Sequence, residues 1–179
     1  MTMRREIYVG VFLISLATLM YEILLTRLFS VTMWHHFAFM AVSLAMFGTA
    51  VGAGAVFLAP RFFEARRAPF HMGASCLLFA AATVGCFLIQ TGVRFVPEVS
   101  WGSLDSLLFI YVIAAIPFLF SGVCITLALT RFPARVGTLY AADLLGAGLG
   151  CLVLGVVIGV TDAVTTAFTV ALFGAVASC

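Results

Sequence analysis

From Ile7 to Val31 the sequence stays apolar over a membrane-length stretch, and inside that stretch lies Tyr21-Glu22-Ile23-Leu24-Leu25-Thr26-Arg27. A hydrocarbon core about 30 Å thick asks for about 20 apolar residues in a helix that rises ~1.5 Å per residue. Runs of this length recur down the chain. Inside lipid each must bond its own amides, and a continuous apolar run does so as a helix. The expected class is therefore all-α, a polytopic integral membrane bundle of about six transmembrane helices over 7–28, 35–59, 70–91, 104–130, 139–160 and 163–179. These form a single membrane domain covering residues 1–179.

Composition enters only to exclude. A soluble domain carries about 25% charged residues, whereas this chain is 9% charged and 64% hydrophobic. All nine basic residues are arginine and the formal net charge is +2, which leaves no broad basic face for nucleic acid. The five cysteines, Cys76, Cys86, Cys124, Cys151 and Cys179, are scattered without a CxxC pair. They indicate neither a zinc site nor a disulfide framework and read as small buried hydrophobes. Arg4 and Arg5 before an apolar run could open a signal peptide, but the run is long and carries Glu22 and Arg27, so an uncleaved first span is expected.

Between the spans the punctuation is clear. Trp34 is placed as an interfacial anchor, and Pro60 to Pro69, with Arg61, Arg66 and Arg67 between the prolines, reads as a loop. Gly48 and Gly52 in the second span, and Gly146 and Gly150 in the fifth, put small residues four apart, where a neighbouring helix can approach closely. Pro117 removes a backbone donor within the fourth span and predicts a kink. Thr161-Asp162 is expected to cap the last helix. That helix is at the short limit for a span, so the chain reads as part of something longer.

If the spans alternate, Arg4, Arg5, Arg61, Arg66, Arg67, Arg131 and Arg135 fall on one side and Arg27 and Arg94 on the other. The positive-inside rule then places both termini in the cytoplasm.

An acid and a base within an apolar span are costly and require partners or water. Glu22 and Arg27 are five residues apart and point ~140° away from one another on a helix, so each is expected to find its partner elsewhere. Groups at the same level supply a candidate outer polar cluster of Glu22, Arg27, His36 and Asp105, reached by Tyr21 or Arg94. One reading of that cluster is a set of pairs pinning the helices; the other is a cation or proton site. The adjacent His35 and His36 point about 100° apart, which leaves at most one for any interior metal or haem. Asp143 reads as an interfacial acid near a helix start, favoured by the helix dipole, and His71 as an interfacial residue. No nucleotide-binding glycine motif, phosphate loop or nucleophile elbow is present. No metal, cofactor or catalytic residue is expected in this chain.

Four stretches carry a resemblance. They are Tyr21 to Phe29, Trp34-His35-His36-Phe37-Ala38-Phe39 running into Ser43 to Gly48, Pro117-Phe118 with Gly122, and, most specific, Tyr140-Ala141-Ala142-Asp143-Leu144-Leu145-Gly146-Ala147-Gly148-Leu149-Gly150. In this order, over nearly the whole chain, they resemble the membrane domain of bacterial spermidine-synthase-like integral membrane proteins. The resemblance implies a multi-span module of the bacterial inner membrane, resembling part of a transporter, that precedes a cytoplasmic domain with the fold of polyamine synthases and methyltransferases. The synthase's catalytic acids have no matching positions here. It implies a membrane anchor or transport-like module for a polyamine-related enzyme, not catalytic alone. Two other readings stay open: a small transporter or channel using the outer cluster, and an accessory subunit of a larger membrane complex. The expected partners are the lipid bilayer and such a synthase-like domain or other membrane subunits.

Overall fold

The computed structural model describes residues 3–32, 38–64, 67–92 and 101–178; the side chains of residues 3–4, 32, 38, 91–92 and 101–107 lie outside the description. The described chain is all helical. Its elements are α1 (Met3–Thr32), α2 (Ala38–Leu58), α3 (Ala68–Gly92), α4 (Trp101–Arg131), a 3-10 turn (Pro133–Arg135), α5 (Val136–Val160) and α6 (Ala163–Val176).

Five helices, α1 to α5, are long and apolar enough to cross a membrane. The run expected as a sixth span over 163–179 instead gives a helix of 14 residues, ~21 Å long and short of the ~30 Å hydrocarbon core. Asp162 does stand at its N-cap in extended backbone, but its side chain makes no capping bond. The hydroxyl of Thr161 bonds back to the Val157 carbonyl at 2.8 Å. The first helix also runs past its expected end at 28. There the Ser30 hydroxyl donates to the Thr26 carbonyl at 2.7 Å, the back-bond by which serine is tolerated within a helix.

Helix α1 is the axis of the bundle and packs against α2, α3, α4, α5 and α6. Its buried residues, among them Val11, Ile14, Met20, Tyr21, Leu25 and Phe29, build the main core together with Phe79 of α3, Phe118 of α4 and Leu154 of α5. Two helix pairs run in the same direction with glycines at their contact. A Cβ on Gly146 would fall on the carbonyl of Phe12, and one on Gly150 would lie 2.6 Å from the carbonyl oxygen of Leu16, which brings α5 against α1. Likewise a Cβ on Gly48 would lie 2.8 Å from the Ala115 carbonyl oxygen, and one on Gly52 would fall on that of Leu119, setting α2 against α4. Gly122 returns this contact from α4, since its Cβ would lie 2.7 Å from Thr49 Cα. Between helices bathed in lipid, which has no hydrophobic drive to expel them, such backbone approach is the main source of association.

Helix α4 continues through Pro117. The proline has no amide to offer the carbonyl four residues back, that of Ile113, and the thiol of Cys86 on α3 donates to it at 3.0 Å. Cys86 is thus a hydrogen-bonding residue as well as a small buried one.

Helix direction gathers the described Arg5, Arg61, Arg67, Arg131 and Arg135 at one end of the bundle and Arg27 at the other. At the arginine-bearing end the link after α2 turns tightly, with Phe62 N–H on the Ala59 carbonyl at 3.1 Å. Phe62 and Phe63 pack on His71 with ring centroids 5.1 and 5.4 Å away. Pro69 follows in the first turn of α3, where a missing amide costs nothing.

Candidate functional site

Of the expected charged cluster, Tyr21, Glu22 and Arg27 of α1 are the members whose side chains are described. Tyr21 turns inward and is fully buried. Its ring lies 5.1 Å from that of Phe118 and 6.4 Å, edge-on, from that of Phe79. The Gln90 carboxamide of α3 neighbours the Tyr21 hydroxyl, yet the hydroxyl and both amide atoms of Gln90 are buried without a hydrogen bond of acceptable geometry. Glu22, one residue on, is half-buried on another face, and its backbone carbonyl accepts from the Thr26 hydroxyl at 2.9 Å. Arg27 is exposed. Tyr21, Glu22 and Arg27 therefore leave α1 in different directions. His36 and Arg94 lie outside the described residues, as does the side chain of Asp105 on α4.

A different polar seam forms nearer the middle of α1. The Ser15 hydroxyl is hydrogen-bonded to the Asp143 carboxylate of α5 and sits 2.8 Å from the Val11 carbonyl. One turn further, Thr18 Oγ1 lies 2.5 Å from Ser121 Oγ of α4 and 2.6 Å from the Ile14 carbonyl. Ser15 and Ser121 are buried and Asp143 is partly so. The seam ties α1 to α5 on one side and to α4 on the other, and Ser15 stands ~15 Å along α1 from Arg5, near half the thickness of a bilayer core.

The expectation that Asp143 is an interfacial acid near a helix start is corrected here. Helix α5 begins at Val136, so Asp143 is ~10 Å inside it, past the first turn where the dipole acts. It faces α1 because it shares a helical face with Gly146 and Gly150, at spacings of three and seven. That spacing was the available signal for the seam. Ser15, Thr18 and Ser121 carried none by themselves, since single hydroxyls in apolar helices usually bond back to their own turn.

The thiols of Cys76 on α3 and Cys124 on α4 are buried 3.5 Å apart. Among the described residues no group of three His, Cys, Asp or Glu side chains converges as a metal site. Cavities open at the arginine-bearing end. One, of about 530 Å³, is lined by the start of α1 and the α4–α5 connection, including Ile7, Tyr8, Arg131 and Arg135. A smaller one of about 110 Å³ is bounded by Glu6, Gly73, Cys76, Cys124 and the end of α6.

No protein-family model, curated protein or solved structure matches this chain. The functional reading accordingly rests on the residues and their geometry.

Proposed function

We propose that this chain is a membrane-embedded anchoring module, the counterpart of the membrane domain of spermidine-synthase-like proteins, and that it serves a polyamine-related enzyme on the side of its arginine-rich end. The observation that carries this reading is the filled interior. Tyr21, Phe79 and Phe118 meet without exposure where α1, α3 and α4 adjoin, and the glycine contacts close α1 on α5 and α2 on α4. Such packing gives a stable platform. In this reading α6 returns the chain as a short sixth crossing beside α1 and α3, a mismatch that a bilayer accommodates by thinning. Arg5, Arg61, Arg67, Arg131 and Arg135 mark the cytoplasmic face of a bacterial inner membrane.

The test is purified protein in proteoliposomes loaded with spermidine or with a pH-sensitive dye. Flux is expected to equal that of protein-free vesicles, both for the native chain and for Glu22→Gln. Saturable flux that disappears in Glu22→Gln would overturn the anchoring role and establish the outer-cluster transporter. The polyamine link is tested in the genome, where a synthase-like coding region is expected in frame with or beside this one; an unrelated neighbourhood would remove it.

One specific observation favours a second reading. The Ser15–Asp143 and Thr18–Ser121 pairs place hydroxyls and a carboxylate mid-span, where ionisable groups often serve ion or proton movement. In that case Asp143→Asn, rather than Glu22→Gln, would abolish the flux.

A further inference from the structure

The 3-10 turn between α4 and α5 folds back towards the start of α1 and leaves the cleft of about 530 Å³, within the range of small-molecule sites. Its walls are of two kinds. Ile7, Phe132 and Leu139 are apolar, while Arg131, Arg135 and Tyr8 are the polar side chains, and no carboxylate lines the cleft. Glu6 lines the neighbouring cavities beside Gly10 instead. Among the described residues Arg131 Nε is buried with no hydrogen-bond partner, and Arg135 reaches Tyr8 Oη at a long 3.4 Å. Helix α5 starts at the same turn, with no side-chain cap and with its first amide, that of Val136, bonded to the Pro133 carbonyl. Two guanidiniums beside a helix start, whose dipole adds positive potential, make a region that attracts an anion. The cleft lies where apolar helices end, between the start of α1 and the α4–α5 turn.

We propose that this cleft binds one anionic phospholipid of the adjoining leaflet. The headgroup phosphodiester sits on Arg131 and Arg135, whose planar forks match two phosphate oxygens. The glycerol and upper acyl carbons lie on Ile7, Phe132 and Leu139. Anionic lipid is the occupant that satisfies both walls: a soluble phosphate would leave the apolar wall wet, and a phosphatidylcholine would bring a quaternary ammonium towards two guanidiniums. Basic pockets between helix ends recognise lipid headgroups on these grounds.

The experiment uses the full chain, stripped of lipid in mild detergent, with bound lipid counted by native mass spectrometry during titration. Short-chain phosphatidylglycerol is expected to bind one per chain, about tenfold or more tighter than phosphatidylcholine. Arg131→Gln with Arg135→Gln should weaken it about 30-fold, while Arg61→Gln, an exposed arginine at the same end, should leave it within about twofold. Should the double variant not fold, the exposed Arg135→Gln alone is expected to lose about fivefold. Equal binding of the two lipids, native affinity in the cleft variants, or an equal loss in Arg61→Gln would each overturn the proposal. Displacement of phosphatidylglycerol by inorganic phosphate at matching concentration would also overturn it and identify the site as one for a soluble anion.

Discussion

Gly150→Ala puts a number on the contact between α1 and α5. The added Cβ would lie 2.6 Å from the Leu16 carbonyl oxygen and 3.2 Å from Leu16 Cα. Both are backbone atoms of a long helix and cannot rotate aside. Ordinary contact begins near 3.4 Å, so α5 must withdraw by about 0.8 Å, enough to forfeit a quarter to a half of the dispersion between facing atoms. Overpacking of this kind costs about 1–3 kcal/mol, and the better helix propensity of alanine returns about 0.8–1 kcal/mol. The net expectation is a loss of about 0–2 kcal/mol. Gly148, two residues away on the same helix, is the control, because its Cβ would meet nothing within 4 Å. Gly148→Ala should be neutral or stabilising by up to about 1 kcal/mol. Thermal unfolding of both variants in one mild detergent, followed by circular dichroism, reads the difference, at roughly 2–4 °C per kcal/mol for a chain of this size. Equal midpoints for Gly148→Ala and Gly150→Ala would refute the idea that backbone approach at Gly150 holds α5 in place.

Substitutions at three further places test the polar contacts in the same unfolding assay. Cys86→Ala strands the Ile113 carbonyl and should cost about 1–2 kcal/mol, with Cys86→Ser restoring most of it; in a Pro117→Ala background the penalty should fall towards zero, because residue 117 then supplies its own amide. Tyr21→Phe removes a buried hydroxyl that makes no well-formed hydrogen bond among the described residues while keeping the ring, so it should be neutral or stabilising by up to about 1 kcal/mol, whereas Tyr21→Ala should cost about 3–5 kcal/mol; a large loss in Tyr21→Phe would show that the hydroxyl is bonded. Ser15→Ala and Asp143→Ala should each cost about 1–2 kcal/mol, and the double variant should cost clearly less than their sum, whereas strict additivity would deny the bond between them.

The apolar runs were legible because bilayer thickness and helix rise dictate their length, and those physical constants need no tertiary information. Positions of helix ends were less legible. Ser30 reads as a turn residue, yet its hydroxyl can serve the Thr26 carbonyl and let α1 continue to Thr32. Pro117 was legible as a lost amide. The donor that answers it, Cys86, is on another helix, 27 residues before the Ile113 carbonyl it serves, and no local pattern could name it. The small-residue spacing of Gly48 with Gly52, and of Gly146 with Gly150, marked faces for close approach, but which helix each face meets depends on the order in which α1 gathers its neighbours.

Among the polar residues, charge alone does not point to the contact that the described residues make. Glu22 and Arg27 draw attention because they cost most in a bilayer, and helix geometry alone shows that they cannot satisfy each other. It does not follow that the helix interface is organised around them. Glu22 stays half-buried and Arg27 exposed, positions in which a long side chain can reach the headgroup region without a protein partner. Asp143 is shorter and cannot escape in that way from a point ~10 Å inside α5. It must be bonded where it stands, and the face it shares with Gly146 and Gly150 brings it against Ser15. In a helix packed through glycines, the acid that specifies register is the short one on the glycine face. Moving the carboxylate to position 144, by Asp143→Leu with Leu144→Asp, should therefore weaken the α1–α5 contact more than Glu22→Gln weakens any contact of α1.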